Sequence, residues 1–191
     1  MMKVISYVVA YDYGFAPNPF HGFLTLATCK PQIRRSKNTK VGDILLGKKS
    51  KQNKLIYVGI ISEIISIEEY STNSRFEDKK PKPIKNTNDI NQFGDNMYYI
   101  ENGRWNHLKG WHTEQEQWSE DIAGKNVLIC EKFWYFGDKA PDIPLEFLSF
   151  ICQGRGMKHS KPQEQYAVEN FMRWLENKFP NSGMIGNPST K

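Results

Sequence analysis

Residues 40–70 read KVGDILLGKKSKQNKLIYVGIISEIISIEEY, and the way this stretch turns back on itself decides the class of fold. A Gly42-Asp43 turn precedes an apolar run at 44–47, a lysine-rich segment from Lys48 to Lys54 follows, and a long β-branched run covers 55–70. Two apolar runs around a short polar segment predict a β-hairpin with a basic tip. Gly59 inside the second run predicts a bulge or a close backbone approach. The tip lysines read more simply as a solvated edge turn that discourages aggregation than as a grip for phosphate.

Working outward, KVISYVVAY (3–11) is β-branched and aromatic and predicts a strand. The loop from Gly14 to Gly22 holds two prolines and cannot be helix. FLTLAT (23–28) predicts a second strand, ended or offset by Pro31. Residues 71–96 are polar and form the longest candidate loop. MYYIENGRWNHL (97–108) reads as a short strand and turn, HTEQEQWSE (112–120) is too polar to place, and KNVLICEKFWYFG (125–137) reads as one strand. Helices are expected over 144–152 and from about Ser160 to Lys178, the second with a Ser160/Gln163 capping box. Ala167, Val168, Phe171, Trp174, Leu175 and Phe179 recur at helical spacing and mark a core face. Pro180 stops that helix and residues 180–191 are expected to fray. Strands first and helices last predict an α+β fold: an N-terminal, mostly antiparallel, curved or barrel-like sheet with C-terminal helices packed on it. The expected organisation is a single domain over 1–191, with its core from about residue 3 to 179.

The 191 residues carry a net charge of +5, which permits an anionic partner such as nucleic acid without requiring one. Aromatic residues make up 13%, enough to supply both core and flat stacking faces. Cys29, Cys130 and Cys152 are too few and too scattered for a disulfide framework or a paired-cysteine zinc site, and suggest reduced thiols in a cytoplasmic protein. The N-terminal apolar run meets Asp12 at once and reads as a strand, not a signal peptide; no run approaches the roughly 18 residues of a membrane span. There is no GxGxxG, Walker or HExxH motif, and no cofactor is indicated.

Four clusters could carry chemistry. In GFAPNPFHGFLTLATCKPQIRR (14–35), Asn18 and His21 can read a base edge, Phe20 can stack, and Lys30, Arg34 and Arg35 can hold phosphate. GDNMYY (94–99) sets Asp95 and Asn96 in a turn at a strand mouth, where they could read a base or serve the backbone alone. FWYFG (133–137) puts Phe133 and Tyr135 on one face and Trp134 and Phe136 on the other. QGRGMKH (153–159) frames Arg155 with two glycines before a helix, a possible phosphate cradle or a plain loop. For catalysis, Cys29 could be a nucleophile with His21 or Asp95 as general base, although small apolar neighbours also suit an inert thiol. His107 and His112 are five apart, off one helical face and without a third ligand nearby in sequence, so no metal site is expected.

These stretches, together with VGDILLG, YFG and the helix bearing Trp174, resemble the nucleotide modification associated domain 2 family over residues 3–188. The positions matching the family's motifs are Asn18, Phe20, His21, Cys29, Lys30, Arg34, Arg35, Asp43, Asp95, Asn96, Tyr135 and Gly137; the family's short spacing between Arg35 and Val41 is lengthened here by SKNTK. The resemblance implies a link to bacterial or phage systems that modify or recognise DNA bases, without an established reaction or cofactor. A fold-level echo of PUA-like and EVE-like domains implies a base held in an aromatic pocket. The expectation is a protein that binds a nucleotide or nucleic acid, DNA foremost, through Asn18, Phe20, His21, Asn96 and Tyr135 on the base and Lys30, Arg34, Arg35 and Arg155 on phosphate. The rivals are a base-modifying enzyme using His21, Asp95 and Cys29, and a protein-interaction module. No membrane partner is expected, and the sequence leaves the oligomeric state open.

Overall fold

The computed structural model describes residues 2–82, 93–112 and 114–189, so residues 83–92 of the long polar loop lie outside the described part. In chain order the strands are β1 (Val4–Val9), β2 (Leu24–Leu26), β3 (Ile44–Lys49), β4 (Leu55–Ile60), β5 (Glu63–Ser66), β6 (Tyr98–Glu101), β7 (Arg104–His107), β8 (Asn126–Cys130), β9 (Lys132–Tyr135), β10 (Met157–His159) and β11 (Gly183–Met184). The α-helices are α1 (Pro31–Arg34), α2 (Ile67–Thr72), α3 (Gln115–Ala123) and α4 (Gln165–Lys178). The chain divides into two compact units: Met1–Asp12, Lys40–Ser62 and Cys130–Lys191 form the first, Tyr13–Thr39 and Glu63–Ile129 the second.

The first unit is built on a six-stranded sheet of order β10-β1-β3-β4-β9-β11. The α+β class holds, but the sheet is mixed and does not close into a barrel: β1 runs parallel to β3 and β11 parallel to β9, while the other pairs are antiparallel. It also draws strands from both ends of the chain. A parallel pair needs a long crossover, and residues 10–43 supply it between β1 and β3. The 40–70 stretch does form a hairpin, with Ile44 opposite Ile60 and Gly47 opposite Tyr57. Its register shift falls on β3, between Gly47 and Lys48, and not at Gly59. Gly47 is required there by space, since a Cβ would lie 2.1 Å from the Tyr57 ring.

The β-branched run is shorter than expected. It leaves the first sheet after Ile60; β5 then pairs with β8 in the second unit, and α2 begins once Ser66 accepts the Glu69 N–H at 3.0 Å. KNVLICEKFWYFG likewise splits at Glu131 into β8 and β9, which belong to different sheets. Residues 145–150 form a 3₁₀ turn, not an α-helix, packing Phe147 and Phe150 on Phe171 of α4. The Ser160/Gln163 capping box does not form, because Ser160 Oγ accepts the Val4 N–H at 2.9 Å beside β1. Instead, in the 3₁₀ turn Pro162–Glu164 that leads into α4, the Glu164 carboxylate reaches back to accept the Lys161 N–H at 2.7 Å. In the terminal segment, β11 pairs with β9 and the Ile185 N–H donates to Tyr135 O at 2.9 Å.

The second unit holds a three-stranded sheet of order β2-β8-β5, the β6–β7 hairpin, and α1 to α3. Its core joins Phe15, Ile67, Tyr70, Phe76, Met97 and Val127. The stretch too polar to place is α3, whose single fully buried residue is Asp121. No helix among the described residues is long and apolar enough to cross a membrane.

Candidate active site

Several of the polar residues singled out in sequence are spent inside the second unit. Asn18, Asp95 and Asn96 are all buried. Lys79 is also buried and donates to Asn18 Oδ1 at 2.8 Å, Phe23 O at 2.7 Å and Thr25 Oγ1 at 3.1 Å. Both Asp95 oxygens accept from neighbours, Thr25 Oγ1 at 2.6 Å and Tyr70 OH at 2.8 Å. Burial pushes the Asp95 carboxyl up to about 6 against the opposing pull of Lys79 and these hydrogen bonds. Asn96 Nδ2 donates to Tyr70 O and Phe76 O, both at 3.0 Å. These groups knit the 14–25 loop to the segments at 70–79 and 93–96. Phe20 is buried, and His21 is exposed at a left-handed turn (φ 59°) beside it.

In the first unit, Tyr135 is buried and donates to the Asp12 carboxylate. Asp43 accepts the Lys40 N–H at 3.0 Å in its turn, Gly137 takes a positive φ of 52°, and Arg155 is exposed.

Cys29 is different. β2 delivers it to the start of α1, where Cys29 (φ 53°) and Lys30 (φ 44°) are both left-handed before Pro31. Two successive non-glycine residues in that region store strain of order 1–3 kcal/mol each and persist only where the surroundings hold them. The holding groups are explicit. The Cys29 N–H donates to Asp121 Oδ1 at 2.5 Å, and Cys29 O accepts from Arg34 Nε at 2.8 Å. The thiol is half-buried, and its sulfur lies 3.9 Å from His112 Nε2. His112 Nδ1 is 2.7 Å from Asp121 Oδ2, which also accepts from Tyr98 OH at 2.6 Å. A line of contacts therefore runs from thiol to imidazole to carboxylate, the order of groups found where a nucleophile, a proton carrier and an orienting acid act together.

The electrostatics follow from that line. Burial, the largest influence on His112, lowers its pKa, but hydrogen bonds and charge from Asp121 and Cys29 outweigh it and raise the imidazole to about 9. Burial and the Asp121 carboxylate push the Tyr98 phenol up, keeping it a donor. Arg34, fully buried, donates from Nη1 to Asn126 O at 3.0 Å and from Nη2 to Asp121 O at 2.5 Å. One guanidinium thus ties the backbone of Cys29 to that of Asp121, and Arg34 faces carbonyls instead of solvent. The imidazole packs under the edge of Phe15, ring centroids 4.8 Å apart.

The imidazole that faces Cys29 is His112, 83 residues away in sequence, with Asp121 as the third member. A third donor for His112 does exist in space: the ligand atoms of Cys29, His112 and Asp121 all lie within 4.8 Å of one another. A metal held there would compete with the Cys29 N–H, Tyr98 and His112 for the Asp121 oxygens, which already accept from all three.

Fold and site define an α+β protein with a cysteine–histidine–aspartate constellation on its second unit. The model of nucleotide modification associated domain 2 matches residues 1–191, and the chain belongs to that family. No curated protein and no solved structure matches it.

Proposed function

We propose that this chain is an enzyme of nucleotide modification that works through covalent catalysis by Cys29. The observation that carries the reading is the line from Cys29 Sγ to His112 Nε2 (3.9 Å) and from His112 Nδ1 to Asp121 Oδ2 (2.7 Å). Cys29 gives its proton to His112, and the sulfur bonds to an electrophilic carbon of acyl or amidine type on the nucleotide. His112 returns the proton to the leaving group. Water or an amine then attacks the carbon, gives a proton to His112, and expels the sulfur, which recovers that proton. Asp121 orients the imidazole and favours its charged form, while Tyr98 and Arg34 hold Asp121 in place. The 3.9 Å separation is looser than a formed hydrogen bond, as is common before substrate closes a site.

A pure reader of bases is the second reading, favoured by the aromatic rings beside His112. It gives no role to a strained cysteine aligned with a histidine–aspartate pair. Nucleotide or DNA as partner accords with the family, and a reducing cytoplasm as location accords with three cysteines held as thiols.

The test is the rate of Cys29 alkylation by iodoacetamide at pH 7, read by peptide mass with buried Cys130 and Cys152 as internal references. Cys29 should react first, and His112→Ala should slow it about tenfold or more, within the range that base assistance supplies. A rate indifferent to His112 would refute the reading.

A further inference from the structure

The nucleophile has two flanks of contrasting chemistry, both in the second unit. On one side, Trp111 directly precedes His112 in the chain and is 43% exposed. Its ring is buttressed by Tyr13 at 5.1 Å and Phe93 at 5.2 Å between centroids. Phe15, two residues after Tyr13, is the ring packed on His112. Aromatic side chains therefore cluster about residues 111 and 112, with the indole partly exposed. The chain that bears Cys29 itself, residues 29–39 (CKPQIRRSKNT), carries Lys30, Arg34, Arg35 and Lys37 and no acid. Arg34 is consumed internally, while Arg35 and Lys37 are exposed and Lys30 is half-exposed. Arg35 follows the four residues of α1, which span about 6 Å at 1.5 Å per residue, and its N–H donates to Pro31 O at 3.0 Å, one helical turn from the Cys29–Lys30 turn.

We propose that these flanks form a nucleotide subsite, with the base stacked on Trp111 and the phosphate drawn to Lys30 and Arg35, so that a group carried on the base is presented to Cys29. The proposal rests on the reading of Cys29 as nucleophile. An apolar peptide would match the indole but not the basic segment; a polyanion alone would match the basic segment but leave the indole exposed. A nucleotide satisfies both, by ring stacking and by charge-assisted contacts. The same moiety occurs free or within a DNA strand, and the experiment separates the two.

Cys29 alkylation by iodoacetamide is followed in the whole chain with deoxynucleoside monophosphates, with a single-stranded oligonucleotide, or with neither. Saturable protection that weakens with salt is expected. Protection by the free nucleotides assigns the subsite to a mononucleotide; protection by the oligonucleotide alone assigns it to a base within a strand. Trp111→Ala should raise the half-protecting concentration about tenfold, in line with the worth of one stacked base. Trp111→Phe should retain most of the protection, and Arg35→Ala should weaken it and flatten its salt dependence. Each variant is compared with its own unliganded rate, so that altered folding or thiol reactivity does not imitate lost binding. Absence of protection, or protection insensitive to both Trp111 and Arg35, overturns the subsite. If the unliganded rate still depends on His112, the nucleophile reading survives that result; if it does not, that reading fails separately.

Discussion

Gly124→Ala probes the link between the buried guanidinium and the site. Gly124 caps α3 with right-handed backbone angles (φ −68°, ψ −22°), which alanine adopts without strain. On backbone grounds the change should stabilise the protein by about 0.4–1 kcal/mol. The added Cβ, however, would lie 2.3 Å from Arg34 Cζ, 2.4 Å from Nη2 and 2.6 Å from Nη1. The guanidinium is fully buried and bonded to Cys29 O, Asp121 O and Asn126 O, so it cannot move aside without breaking them. Hydrogen bonds to a charged group contribute about 1.5–3 kcal/mol each, and leaving a buried charge poorly paired costs about 3–5 kcal/mol. Set against the alanine gain, a net loss of about 3 kcal/mol is expected. For a chain of this size that lowers Tm by roughly 6–12 °C. The same displacement releases Cys29 and Asp121, so Cys29 alkylation should slow as well. Urea and thermal melts, with the alkylation assay, read both effects. In an Arg34→Met background Gly124→Ala should cost far less, since the two changes share one contact. A Gly124→Ala protein as stable as the wild type, or an equal loss in both backgrounds, would refute the reasoning.

Asp121→Asn should free His112 and slow Cys29 alkylation about tenfold or more at pH 7 while the protein stays folded, measured by peptide mass alongside circular dichroism. Because the His112 pKa is raised to about 9 from 6.5, its contribution is fully present below 6.5 and is lost as pH rises through 9; the difference caps it at about 3 kcal/mol, and denaturant melts of wild type and His112→Gln from pH 6 to 9.5 should converge at the alkaline end. Asp95 has the opposite position for an acid: raised to about 6 from 3.8, it makes the fold bind an extra proton, so its share of stability grows as pH falls from about 6 towards 3.8, and Asp95→Asn should flatten that slope in the same melts. Lys79→Met should destabilise by about 3–5 kcal/mol in a urea titration, because the acceptors at Asn18, Phe23 and Thr25 stay buried.

What could be read from the sequence is whatever depends on local pattern. The β3–β4 hairpin, β1 and the apolar face of α4 follow from alternation or helical spacing within a dozen residues, whereas 97–108 reads as a strand and turn and forms the β6–β7 hairpin. The breaks at Ser62 and Glu131 were hidden because the strands on both sides are apolar, and nothing in such a run says that its halves serve different sheets. α3 was illegible for the opposite reason: its exposed face is polar throughout, and its one buried residue is an aspartate. The sequence offers Cys29 with His21 or Asp95 as its base, and the imidazole that stands beside its sulfur in the structure is that of His112. His21 is near in sequence, whereas His112 and Asp121 arrive from 83 and 92 residues away, a pairing only the tertiary fold creates. One local signal was present. Lys30 precedes a proline, which disfavours the right-handed helical region for it, and the strained turn at Cys29–Lys30 is where the site is built. Arg34 illustrates the converse, a cation that reads as a phosphate ligand until its burial assigns it to three carbonyls.

The claim that Cys29, His112 and Asp121 act as one unit is tested most directly by the titration of the His112 imidazole, followed by nuclear magnetic resonance in the wild type, Cys29→Ala and Asp121→Asn. A midpoint near 9 is expected in the wild type, moving down in both variants, since Asp121 and Cys29 are the groups that raise it. A wild-type His112 that titrates near the ordinary 6.5, or one that ignores the loss of Cys29, would contradict it.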